Sequence, residues 1–90
     1  MIPVEEYKDE LAPLVDELSK YNTYYIGSFG KYPVFKLCDK YIHILDYSDT
    51  LVRHFETKSL KKAKQRIITS VKALKEWKFQ QKLQRIEDDF

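Results

Sequence analysis

Three short runs rich in aromatic and branched residues, 23–29, 32–38 and 41–47, are separated only by Gly30-Lys31 and Asp39-Lys40. Links this short join antiparallel neighbours, because a parallel crossover needs a dozen residues or more. The centre of the chain therefore reads as a three-stranded meander. Pro33 lacks a ladder donor, which puts the start of the second strand at an edge or a bulge. Residues 50–56 contain Leu51, Val52 and Phe55. A fourth strand fits them better than a helical turn, with Thr57-Lys58-Ser59 turning the chain into the next element.

Both flanks carry a helical period. Val4, Tyr7, Leu11, Leu14, Leu18 and Tyr21 recur at alternating steps of three and four, which predicts an acidic amphipathic helix over 1–21. Pro3 suits its start, whereas Pro13 predicts a kink or a division into two short helices. Ser59 is the expected N-cap of a long basic helix over 59–88, with Leu60, Ala63, Ile67, Val71, Leu74 and Trp77 as its core stripe. A second stripe, Ile68, Phe79, Leu83, Ile86 and Phe90, lies roughly a third of a turn further round. At 1.5 Å per residue such a helix runs roughly 45 Å and outreaches a small sheet. Its last turns then pair with the same segment of a second chain as a homodimer, or bend near Trp77 and fold back. The expected fold class is α+β in one domain, 1–90. An N-terminal helix precedes a three- to four-stranded antiparallel meander over 22–56, and the long C-terminal helix packs on one face of the sheet.

Ninety residues exclude a β/α barrel or a full dinucleotide-binding fold, and two glycines cannot furnish a phosphate-cradling loop. No cofactor is therefore expected. The single Cys38 forms no internal disulfide, the N-terminus lacks a signal-peptide pattern, and no apolar run approaches membrane-spanning length. The expectation is a cytoplasmic chain with no membrane partner.

Charge is segregated along the chain. Residues 1–20 hold six carboxylates against Lys8 and Lys20, whereas residues 53–85 hold eleven cations against Glu56 and Glu76. Lys61, Lys62, Lys64, Arg66, Lys72 and Lys75 all lie off the core stripe of the last helix and form a candidate phosphate-binding face. The helix start Lys61-Lys62-Ala63-Lys64, after an α-β-β-β order, resembles that of the double-stranded-RNA-binding domain. The likeness ends there. The family's lysine pair stands one position further upstream, its Gly-Pro-x-His loop is missing, and Ile67 and Ile68 replace its alanines. The plainer reading of these lysines is a solvated helix face.

Two nuclease patterns also occur. Tyr25-Ile26-Gly27-Ser28 is similar to half of the GIY-YIG signature, but the Gly-Ile-Tyr strand that should precede it is absent. Asp46 followed by Glu56-Thr57-Lys58 resembles the PD-(D/E)xK arrangement, in which two carboxylates hold a divalent metal beside a lysine. Asp46 beside Ser48 and Asp49 is more simply a turn residue. His43, His54 and Cys38 lack the close paired spacing of structural zinc sites, and His43, between Ile42 and Ile44, falls on the solvent side of its strand.

Tyrosines crowd the sheet region, and alternation must turn some of them away from the core. Tyr24, Tyr32 and Tyr41, with Phe79, Leu83 and Ile86 of the last helix, are the candidate protein-binding residues. Together these features point to a small non-enzymatic module that binds a protein, as an inhibitor or adaptor would. Nucleic-acid binding through the basic helix is the alternative, and a metal-dependent nuclease using Asp46, Glu56 and Lys58 is a more distant one.

Overall fold

The computed structural model describes the backbone of residues 1–88 and the side chains of residues 1–76. The chain runs α1 (Val4–Leu11), a 3-10 turn (Ala12–Leu14), β1 (Glu17–Lys20), β2 (Tyr25–Phe29), β3 (Tyr32–Leu37), β4 (Ile42–Asp46), β5 (Arg53–Thr57) and α2 (Leu60–Asp88). The strands form one antiparallel sheet in the order β1-β2-β3-β4-β5. The α+β class and the long helix on the sheet agree with the sequence. The strand count does not: there are five.

The extra strand comes from the segment expected to complete the first helix. Pro13 lies at the first turn of the 3-10 element, and Val15 leaves it extended, with φ −125° and ψ 164°. The Asp16 carboxylate then accepts the Gly30 backbone N–H at 2.9 and 3.0 Å, while the Asp16 N–H donates to the Ser28 carbonyl. These bonds draw 17–20 onto the sheet edge, so Leu18 packs on the core from a strand and Tyr21 is exposed. Pro13 accounts for the break in the helix, and the bonds to Gly30 and Ser28 account for the strand after it.

Register sorts the side chains into two faces. Leu18, Gly27, Phe35, Ile44 and Phe55 are successive partners across all five strands. Tyr25, Leu37 and Ile42 form the next row on the same face. Beneath the helices this face meets Leu11 of α1 and Ala63, Ile67, Val71 and Leu74 of α2 in one core cluster. Ser70 on the same side of α2 is fully buried. Its hydroxyl accepts the Tyr47 N–H and donates to the Leu45 carbonyl, fastening the helix to the end of β4. The expected cap of α2 is present, with the Ser59 hydroxyl accepting the Lys62 N–H at 3.3 Å.

Two local devices make the meander possible. Gly30 adopts φ 62°, the left-handed turn position that glycine occupies without penalty. Pro33 sits where the β2–β3 register shifts, so the proline expected at an edge or bulge is accommodated at a bulge. Tyr47 donates its hydroxyl to the Pro33 carbonyl at 2.7 Å and meets Tyr32 edge-on. Burial, and secondarily the neighbouring Tyr32, raises the Tyr47 pKa above the ordinary phenol value.

At Gly27 the Phe35 side chain lies where a Cβ would otherwise be. A Cβ there would lie 2.1 Å from Cε1 of the Phe35 ring, which crosses β2 at this point and is buried. Gly27→Ala is therefore expected to destabilise by about 1–3 kcal/mol through overpacking, read as a lower urea midpoint. Combined with Phe35→Leu, the loss should fall short of the sum of the two single losses by about 0.5–3 kcal/mol. Strict additivity would show that the two positions do not share this contact.

α1 is tied to the sheet through Glu5, whose carboxylate accepts the Tyr25 hydroxyl at 2.8 Å and pairs with Lys8 at 3.2 Å. The Tyr25 hydroxyl first, and the Lys8 ammonium after it, hold the Glu5 carboxyl below the usual range. A lowered folded pKa contributes stability at neutral pH that is lost as pH falls through it. Tyr25→Phe should move the Glu5 carboxyl titration, followed by NMR, back towards the ordinary carboxylate range. An unchanged titration would assign the shift to the lysines, Lys8 first and Lys20 after it.

Candidate functional site

Both helices lie on one face of the sheet, and the opposite face is open. Its central row is Ser19, Ile26, Lys36, His43 and Glu56, flanked by the Leu45–His54 pair. Ile26, His43 and Leu45 are half-buried, His54 and Glu56 are exposed, and neither Ile26 nor Leu45 belongs to the core cluster. An aromatic corner borders this row. The rings of Tyr21 and Tyr24 stack at 5.0 Å and 12°, and the Lys36 ammonium lies 4.5 Å from the Tyr24 ring centre. By strand alternation Tyr41, one residue before Ile42, falls on this same face.

The candidate tyrosines thus divide. Tyr24 and Tyr41 belong to the open face, whereas Tyr32 packs against the core beside Tyr47, in a cleft of about 430 Å³ with Val52, Ala73 and Leu74. The expected stripe of Phe79, Leu83 and Ile86, and with it the homodimer, lies outside the described side chains. Ile68, which opens that stripe, is 51% exposed.

The basic face of α2 is partly engaged by its own fold. Lys64 forms an ion pair with Glu10 of α1, the Arg66 guanidinium stacks 3.5 Å above the Phe55 ring, and the Lys75 ammonium lies 5.7 Å from the Phe29 ring centre. Lys61, Lys62 and Lys72 are exposed. The Lys64–Glu10 pair also shows that acidic α1 borders this face, so its carboxylates would oppose an approaching phosphate.

The carboxylate pair of the nuclease pattern is separated by the sheet itself. Asp46 pairs with Arg53, follows Ile42 and Ile44 on the helix-covered face, and is 5% exposed. Its carboxylate accepts the Ser48 N–H at 2.9 Å, the turn role that its neighbours imply. Glu56 pairs with His43 on the open face. Tyr25-Ile26-Gly27-Ser28 is part of β2, and the segment before it is β1. Among the described residues, no three His, Cys, Asp or Glu side chains are grouped to hold a metal ion.

One contact on the open face has no signal in the sequence. His43 and His54, diagonal neighbours on β4 and β5, meet with His43 Nε2 2.9 Å from His54 Nδ1. The Glu56 carboxylate lies 3.6 Å from His43 Nδ1. Both histidines are visible in the sequence, but a six-residue connection between the strands leaves their register open.

Comparison with protein-family models, with curated protein sequences and with solved structures finds no match.

Proposed function

We propose that this chain is a small protein-binding module of inhibitor or adaptor type, acting through the open face of its sheet. The observation that carries this reading is the one-sided packing. Every helix lies against the Phe35 face, and Ile26, Leu45 and the Tyr21–Tyr24 stack remain on the other. Apolar and aromatic groups grouped on a rigid surface are what protein partners bury, and Tyr and His supply hydrogen bonds at the rim of such a contact. The sheet edges suit this mode less well. β1 is four residues long with Glu17 and Lys20 at its ends, and β5 carries Arg53 and Glu56, so charge guards both edges against strand addition.

The competing reading places a nucleic-acid backbone on Lys61, Lys62 and Lys72. The Lys64–Glu10 ion pair and the acidic neighbour α1 make that face less positive than the sequence alone implies, while Arg66 and Lys75 keep their charge over Phe55 and Phe29.

Ile26→Arg and Leu45→Arg should each weaken a captured and purified partner at least tenfold in equilibrium binding, with the far-UV spectrum unchanged. Glu substitutions at Lys61, Lys62 and Lys72 should leave that affinity within about twofold. The reverse pattern, with labelled oligonucleotides bound in a way that falls log-linearly with salt, would transfer function to α2.

A further inference from the structure

The open face contains one cluster that sheet stability does not require. His43 and His54 present ring nitrogens to each other at 2.9 Å, with the rings inclined at 59°. Their backbones belong to neighbouring strands of one ladder, and the Glu56 carboxylate stands behind His43 on its Nδ1 side. We propose that His43 and His54 form a two-nitrogen site for a late first-row divalent metal ion, Cu²⁺ most tightly.

Neutral imidazole is a good ligand for such ions, and affinity at nitrogen sites peaks at Cu²⁺ in the first-row series. Two nitrogens about 2.0–2.1 Å from an ion, at adjacent corners of a tetragonal arrangement, stand about 2.9 Å apart. The observed separation is therefore already that of a chelating pair, and the rings need only swing to converge on a common point. Because the ladder fixes both backbones, binding orders no loop, which lowers its entropic cost.

Without metal the two facing nitrogens share one proton in a hydrogen bond, its direction set by the tautomers. An ion needs a lone pair from each. His43 then carries its proton on Nδ1, towards Glu56, and His54 carries its proton on Nε2. Each ring stays neutral and no proton is lost. A carboxylate behind a ligating imidazole fixes this tautomer and makes the metal-facing nitrogen more basic. Lys36, a cation on this face, is the cross-strand partner of His43, and its ammonium is engaged over the Tyr24 ring. Glu56 and His54 are exposed, so water can complete the coordination of an ion held by only two protein nitrogens.

The experiment is calorimetric titration of Cu²⁺, Ni²⁺ and Zn²⁺ into the tag-free full chain carrying Cys38→Ser, which removes the competing thiol. One Cu²⁺ per chain is expected, bound more tightly than Ni²⁺ or Zn²⁺, with two-nitrogen coordination in its electron paramagnetic resonance spectrum. His43→Gln and His54→Gln should each weaken it more than tenfold, and Glu56→Gln about tenfold, the usual loss for a group behind a metal-bound histidine. Thermal melting of each variant verifies that it folds. Equal Cu²⁺ affinity in the His43→Gln/His54→Gln double variant, or no stoichiometric binding, would overturn the proposal. No protein partner enters the assay, so its failure would leave the protein-binding reading standing.

Discussion

The contact on which the rest of the structure depends is the Phe35 ring lying across Gly27. A ninety-residue chain must fill its core with few large side chains, and among the described residues Phe35 is the largest that is fully buried. It sits in the middle of the central strand β3, flanked by Gly27 on one side and Ile44 on the other. The missing side chain at 27 leaves the space over β2 that the ring occupies. Small Ala63 and Ser70 then allow α2 to settle close to the sheet, and the buried Ser70 hydroxyl satisfies both a donor and an acceptor at the end of β4. One large residue over one absent one thus fills the centre of the covered sheet face.

Much of this could be read from the sequence, because it is local. The short links fixed the antiparallel meander, Ser59 marked the start of α2, and every described residue of its expected core stripe joins the core. What could not be read is what depends on pairing between distant segments. Val4, Tyr7, Leu11 and Leu14 continue into Leu18 and Tyr21 with an unbroken helical period. A strand of four residues has too little alternation to compete with that signal. The deciding bonds, from the Gly30 N–H to the Asp16 carboxylate and from the Asp16 N–H to the Ser28 carbonyl, join residues more than ten positions apart. Tertiary pairing overrode a helical pattern that Pro13 had already weakened.

The cations of α2 show why charge in a sequence is a poor count of charge available to a partner. An ion pair with Glu10 consumes Lys64, and the guanidinium of Arg66 covers an aromatic ring that would otherwise face water. The acidic and basic ends of the chain, so distinct in sequence, become neighbours in the helix layer. The Lys64–Glu10 ion pair joins them at the surface of that layer. The open face is built differently, with few charges, several rings and two branched or long aliphatic side chains on a rigid ladder.

The parity of strand register decides which chemistry is possible on either side. Arg53 is the partner of Asp46, and Glu56 lies three positions further along β5. An odd offset turns a side chain to the opposite face, so Asp46 and Glu56 are divided by the thickness of the sheet whatever their rotamers. The same rule acts in the other direction for the histidines. His43 and Leu45 are two apart, Leu45 opposes His54, and an even offset keeps both imidazoles on one face within reach of each other. A shift of one residue in the β4–β5 pairing would exchange these outcomes, bringing His54 beneath α2. The burial of Phe55 against the core is what forbids that shift, because its ring and His54 would trade places. The hydrophobic register of the core, and not any feature of the open face itself, is what assembles the histidine pair.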